Sequence, residues 1–465
     1  MSFEDFKQYN WNKDTFCPHP WISFYPSPRG DVFPCCVSMK YRPPGKVDPD
    51  GDIDKMMNST DFNTMRLKMI DGKRPKECGD CWLREDSGVR SDRVSMLRRW
   101  TYDPETHGMG SEKNRKKYET LLKDAIDRTN PDGSINDFKM YYLEYRDNNI
   151  CNYKCRFCNV NSSNTWVKEW KALGRMSSAP FNINPKTGVA QSGVQWDKMD
   201  LTHLTNIHMA GGEPTAMDST YWLLEHLIEI DRAKEIEIGI VSNTSRLVYK
   251  KKNILDLLSH FKFVNWSVSA DAMGKAHDLL RAGGLDDWDK VKANILEVRD
   301  WADHPERSMK FHSTMNWSNA FQWWDMKREL DIDSDKPIDI QVYFSTGPDG
   351  HGINDLPTAQ LKRIQDFYKN KSNYANKEVT QILAMCEKWM PKNEKQEEQR
   401  QVHMSRFKEE QIYFDRSRGQ IWTDVFPEWA DFFKSIQLPT KVRDSAINMQ
   451  DMVKQQIAEF PEKYF

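Results

Sequence analysis

Three cysteines on one short stretch, Cys151-Asn-Tyr-Lys-Cys155-Arg-Phe-Cys158, constrain this chain more than any other feature of its sequence. They belong to an uneven set. Of 9 cysteines in 465 residues, five fall between Cys17 and Cys81, and Cys386 stands alone. The count is odd, which suits a disulfide framework poorly, and in a cytosolic chain of this length tight thiol clusters read as metal or redox sites. A structural zinc or an ordinary iron–sulfur cluster takes four protein ligands. Three close cysteines without an obvious fourth hold a cubane and leave one iron open to a small molecule. Zinc and incidental buried thiols are the alternative readings of this spacing.

After residue 135 the sequence alternates β-rich runs, at 140–146, 206–210, 236–241, 264–270, 309–316 and 338–344, with helix-patterned segments such as 218–232, 250–260 and 287–302. That alternation predicts an α/β fold, a parallel partial (β/α)6 TIM-like barrel. In such folds the loops leaving the C-terminal strand ends build the site. Here they carry the cysteine loop, then Ala210-Gly211-Gly212-Glu213-Pro214, then Ser242-Asn243-Thr244, then Ser269 and Asp271, then Asn316, and last Ser345-Thr346-Gly347-Pro348. Bare backbone at Gly211 and Gly212 admits a ligand's ammonium and Glu213 neutralises it; a plain strand-to-helix turn is the alternative. Ser242, Asn243, Ser269 and Asp271 read equally as polar contacts or as caps and turns, and Arg281 reads as a surface salt bridge. Cys386 sits in a helical pattern and reads as a small buried hydrophobe.

Upstream, Cys17, Gly30, Cys35 and Cys78-Gly-Asp-Cys81 form a second pattern, with Cys36 adjacent. The runs Phe24-Tyr25 and Asp31-Val-Phe33 predict a hairpin turning at Gly30, which brings Cys17 and Cys35 together for the CxxC to close. From the ligands alone, Zn(Cys)4 and [4Fe–4S](Cys)4 are not distinguishable.

The CxxxCxxC with an aromatic residue, Phe157, before its last cysteine resembles the radical S-adenosylmethionine (SAM) superfamily. The resemblance implies a [4Fe–4S] cluster on Cys151, Cys155 and Cys158, with SAM on the open iron. It makes Gly211-Gly212-Glu213 a methionine-binding motif and places Ser242, Asn243, Ser269 and Asp271 near the ribose. Reductive cleavage of SAM would then give a 5′-deoxyadenosyl radical that abstracts hydrogen. Glu144, Tyr145, Arg146, Asn148 and Asn316 are lumen-facing candidates for directing that radical. The upstream pattern on Cys17, Cys35, Cys78 and Cys81 resembles the SPASM/twitch auxiliary-cluster domains, here ahead of the barrel. It implies a second [4Fe–4S] cluster, with zinc as the alternative, that passes electrons when it has four protein ligands. The resemblance also implies a peptide or protein substrate and an electron donor such as flavodoxin or ferredoxin. A sugar, nucleoside or other small molecule is the alternative substrate, and a zinc- or cluster-stabilised binding protein without SAM turnover is the alternative class.

The chain thus divides into a twitch-like domain at 1–100, a charged linker or helical bridge at 101–135, the barrel at 136–355 and a helical extension at 356–465. Within these, 173–200 reads equally as a loop near the site's mouth or a plain insertion, 393–411 as a solvated charged face, and 421–436 as a helix packing on the body, with a binding motif as the alternative. Lys plus Arg is 67 against 69 Asp plus Glu, a net charge of −2 that offers no global field for nucleic acid or a membrane. Mean hydropathy is −0.79. No apolar run reaches the roughly 18 residues of a membrane span, and the N-terminus lacks a signal-peptide pattern, so the chain reads as soluble and cytoplasmic.

Overall fold

The computed structural model describes residues 3–9, 11–86, 90–101, 112–180, 182–283, 287–332, 339–345, 350–371, 377–439 and 447–465. Thr346 to Pro348, the loop expected after the sixth barrel strand, lies outside them.

The described residues form eleven strands: β1 (Ser23–Pro26), β2 (Asp31–Phe33), β3 (Gly45–Lys46), β4 (Tyr142–Tyr145), β5 (Asn206–Met209), β6 (Glu237–Ser242), the ribbon β7 (Val248–Tyr249) and β8 (Lys252–Asn253), β9 (Phe263–Ser269), β10 (Arg307–Met315) and β11 (Asp339–Phe344). β4, β5, β6, β9, β10 and β11 pair in that order and all in parallel. This is the expected partial (β/α)6 barrel, its crossovers made by helices such as Asp218–Glu229 and Trp288–Trp301. Along β6 the side chains alternate as a period of two requires. Ile238 and Ile240 are buried while Glu237, Gly239 and Val241 beside them are half-buried. The lumen is open and carries polar as well as apolar side chains, unlike the packed interior of a closed eight-stranded barrel.

The N-terminal region is joined to the barrel by the sheet itself. β1 pairs in parallel with β4, through Ser23 with Tyr142 and Phe24 with Leu143, and β2 and β3 continue antiparallel, giving nine strands in one sheet. The hairpin turns at Gly30, whose φ of 72° is the left-handed conformation that glycine adopts without strain. Neither the strand pairing nor β3 is visible in the sequence pattern. Within the expected linker, Glu112–Asp127 is a helix whose Tyr118 stacks on Trp100 at 4.8 Å.

The C-terminal extension is helical, as expected, with Thr358–Lys369, Lys377–Lys388, Glu394–Arg418 and Ile447–Glu459. Two expectations about it are corrected. The charged run from 393 is not only a solvated face, because the second half of its helix buries Lys408, Glu410, Gln411 and Asp415. Lys408 there donates to the carbonyls of Lys434, Ile436 and Tyr464, which end other segments. Residues 421–436 form three short pieces, Trp422–Val425, Pro427–Trp429 and Ala430–Ser435, because Pro427 has no N–H to continue a helix. Trp422 and Trp429 pack on Trp317 of the barrel at 5.2 and 5.1 Å. No described helix is long and apolar enough to cross a membrane.

Candidate functional site

The loop leaving β4 is fixed at many points before its cysteines can act as ligands. Asn149 donates to the carbonyls of Val160 and Gly188 and accepts from the Ala190 amide, so residues 188–190 brace the loop. Asn164 accepts from the Cys151 amide at 3.0 Å, and the amide of Tyr153 points at the Cys151 sulfur at 3.4 Å. Arg156, between Cys155 and Phe157, is 1% exposed and reaches outward to the C-terminal helix, meeting Asp415 at 2.9 Å and Gln411 at 2.8 Å. Arg418 of that helix donates to the Lys154 carbonyl at 2.8 Å. The sequence hid this clamp, since its partners stand more than 250 positions apart.

Cys151, Cys155 and Cys158 line one cavity of about 850 Å3. Burial pushes the Cys158 thiol up to about 12, and Cys155 beside it adds to the rise; Cys151 and Cys155 move the same way. Buried thiols gathered this closely become thiolates together only beside strong positive charge, which metal ions supply. The donor set therefore fits an iron–sulfur cluster. Among the described residues, no three Cys, His, Asp or Glu side chains converge tightly enough to hold one metal ion.

The Gly-Gly-Glu loop packs against the cysteine loop. Gly211 and Gly212 have φ of 80° and 57°, and a Cβ on Gly212 would stand 2.4 Å from the Ile150 carbonyl oxygen. The glycines thus serve loop contact and backbone conformation as well as any ligand's approach. Glu213 is 1% exposed and its carboxylate accepts from Ser242 Oγ, Thr215 Oγ1 and the amides of Asn243 and Thr215, at 2.7 to 3.1 Å. Burial raises its pKa against those four bonds.

Ser242 is therefore turned to Glu213 and is not a lining residue, whereas Asn243 and Ser269 line the cavity. Asp271 is fully buried behind the wall, accepting from the Thr314 amide at 2.6 Å and pairing with Arg281 at 2.5 Å. Arg281 is thus in a salt bridge, but a buried one at the cavity and not on the surface; its guanidinium stands 5.9 Å from the ring of Phe157, which also lines the cavity.

Cys17, Cys35, Cys78 and Cys81 line a second, small void on the N-terminal side. The hairpin delivers Cys35, and helix Gly79–Asp86 carries Cys81. Arg93 ties the segments, pairing with Glu85 at 2.5 Å and donating to the Phe16 carbonyl next to Cys17. Burial pushes the Cys17 thiol up to about 12. Cys35 lines both spaces, whereas Cys36 lines only the large one, facing Glu144 and Arg146.

Of the five lumen candidates, only Glu144 and Arg146 line the cavity. Tyr145 turns outward onto Trp196 at 5.2 Å, Asn148 accepts from the Ile150 amide, and Asn316 is engaged with Asn319. Sequence reasoning missed His208 and His19, also in the wall; the inward alternation of β5 is the signal for His208. Burial opposes ionisation of Glu144, but His208 at 3.2 Å, with Arg146 and His19, outweighs it and holds the carboxyl down to about 2.

Residues 145–300 match the radical SAM superfamily, and residues 17–82 match the SPASM iron–sulfur cluster-binding domain. No curated protein matches the chain. Solved structures similar to it include native anSMEcpe with bound AdoMet and Cp18Cys peptide, at 18% identity and a TM-score of 0.31, covering 50% of this chain and 61% of that one. Another is Streptococcus suis SuiB bound to precursor peptide SuiA, at 12% identity and a TM-score of 0.27, covering 77% and 69%. The chain spans about three fifths of the first of these, 61% of its length. The three-cysteine loop thus lies within the segment that matches the radical SAM superfamily, and Cys17, Cys35, Cys78 and Cys81 lie within the segment that matches the SPASM cluster-binding domain.

Proposed function

We propose that this protein cleaves SAM reductively and uses the resulting radical to remove a hydrogen atom from a peptide or protein. The observation that carries the reading is that Cys151, Cys155 and Cys158 share one cavity wall with Cys35, which also borders the N-terminal void. The reduced [4Fe–4S] cluster, when bound, supplies the electron that splits SAM into methionine and a 5′-deoxyadenosyl radical. Gly211 and Gly212 present backbone to the amino-acid end of SAM, and Asn243 and Ser269 offer polar contacts from the next strand ends. Glu213 positions the loop by linking the ends of β5 and β6. Arg281, neutralised by Asp271, closes the wall over Phe157. On the other side Cys17, Cys35, Cys78 and Cys81 hold the auxiliary cluster, which with four protein ligands has no open iron and serves as an electron relay. A peptide substrate is supported by the resemblance to SPASM-type enzymes and by a cavity large enough for SAM with a side chain beside it.

The test is product analysis. Reconstituted protein, reduced anaerobically and given SAM, is expected to release methionine and 5′-deoxyadenosine, and Cys151→Ala is expected to release neither. A cluster-loaded wild type that yields no 5′-deoxyadenosine overturns the proposal and leaves a cluster-stabilised binding protein.

A further inference from the structure

One guanidinium in the wall of the central cavity has no anion in direct contact among the described residues, although the carboxylate of Glu144 stands on the same strand face. Arg146 is the third residue of the inward-facing row Tyr142, Glu144, Arg146 on β4 and its extension. Its stem lies along Gly211, where an added Cβ would stand 3.3 Å from its Cδ, and its guanidinium carbon is 5.4 Å from the Tyr25 ring centre. These contacts hold it at the seam between the β5 loop and the N-terminal hairpin. Among the described residues it has neither an ion pair nor a hydrogen bond, and its Nε is buried without a partner.

Three other charges of this wall are committed, and a fourth, Asp92, also lines it. Arg281 is neutralised by Asp271, Glu213 is saturated by four donors, and Glu144, on the same strand face as Arg146, is turned to His208. A guanidinium is a planar fork of donors matched to carboxylate and phosphate oxygens, and holding one away from water without an anion is unfavourable. Its stacking on Tyr25 fixes the fork in place but does not neutralise it.

We propose that Arg146 binds an oxyanion of the substrate, a carboxylate or a phosphate, so that the molecule acted on in this cavity is anionic where it crosses the seam. The inference rests on the reading of the cavity as a substrate site. It makes Arg146 a specificity residue, and it favours acidic peptide segments or phosphorylated molecules over neutral and basic ones.

Calorimetric titration of the reconstituted full-length protein, saturated with SAM and at constant ionic strength, tests it. The probes are inorganic phosphate and glutarate, with glutaramide as the uncharged control. At least one anion is expected to bind saturably while glutaramide does not. Arg146→Gln is expected to weaken that binding about tenfold or more, and Arg146→Lys, which keeps the charge and loses the fork, to weaken it less. The tighter of the two anions identifies the substrate's group. Failure of both anions to bind, or equal binding to Arg146→Gln, overturns the proposal. So does binding that appears only when SAM is withheld, because Arg146 would then serve the SAM carboxylate. The titration does not depend on turnover: a protein that binds the anion but never releases 5′-deoxyadenosine loses the proposed reaction and keeps the subsite, and the opposite result does the reverse.

Discussion

The barrel loop and the N-terminal region gather cysteines around two spaces that share Cys35, but they are held by different means. Cys151, Cys155 and Cys158 come from a single loop and need only local geometry to meet; that loop is then clamped from outside by Arg156 on Asp415 and by Arg418 on the Lys154 carbonyl. Cys17, Cys35 and the Cys78/Cys81 pair come from separate segments and meet only because the hairpin, helix Gly79–Asp86 and Arg93 bring them together. A site built on one loop is written in the sequence as spacing, whereas a site built from several segments exists only once the fold has formed. The pairing of β1 with β4 is what makes the two sites face each other.

The largest effect that separates the two regions is on the clusters themselves. Cys151→Ser is expected to abolish any SAM-induced change in the EPR spectrum and to leave the N-terminal site loaded. Cys78→Ser is expected to keep the SAM response and lose about half of the iron, the proposed function assigning one cubane to each site. If either substitution emptied both sites, the regions would be one cooperative unit and the comparison would fail.

Next come the clamps. Asp415→Ala leaves Arg156 as an unpaired cation in a 1% exposed position and is expected to cost about 3–5 kcal/mol in thermal or denaturant unfolding. Glu85→Ala removes a partner from Arg93 that is partly open to solvent, and about 2 kcal/mol is expected. A smaller loss at Asp415 than at Glu85 would show that the barrel loop stands without its clamp.

A pH scan sharpens the same contrast. Burial opposes ionisation of Glu85, but hydrogen bonds from Arg93 and Ser91 outweigh it and its pKa is lowered in the fold. A depressed carboxyl stabilises the fold fully above its unfolded pKa of about 4.3 and loses that contribution as pH falls through the folded value. Melting temperature is therefore expected to be flat in this respect above about pH 5 and to fall in acid, and Glu85→Gln is expected to flatten part of that fall. Glu144, held down to about 2, adds to the decline at still lower pH. The smallest effect belongs to Cys386, fully buried in the C-terminal extension away from both sites: Cys386→Ala is expected to cost about 1 kcal/mol and to leave iron content unchanged.

The barrel was legible because its strands alternate and its strand ends carry polar loops, and all six runs fall on β4, β5, β6, β9, β10 and β11. The three-cysteine loop and the Gly30 hairpin were legible for the same reason: spacing and turn chemistry are local. What was not legible is long-range. Ser242 and Asp271 read equally as ligand contacts or as caps and turns, and only the fold shows their oxygens used by Glu213 and by Arg281 with the Thr314 amide. Arg281 looked like a surface residue because its buried partner lies ten positions back on another element. The clamp on Arg156 joins the cysteine loop to a helix near the C-terminus, and no local pattern announces such a pairing.

The central claim is that two iron–sulfur sites face one cavity and that only the barrel site is open to SAM. Iron and sulfide analysis of the anaerobically reconstituted chain, with EPR of the reduced protein before and after SAM, tests it most directly. The account predicts about eight iron and eight sulfide per chain, with SAM changing one part of the signal and leaving the rest. A zinc ion in either site, or a spectrum that SAM leaves unchanged throughout, would contradict it.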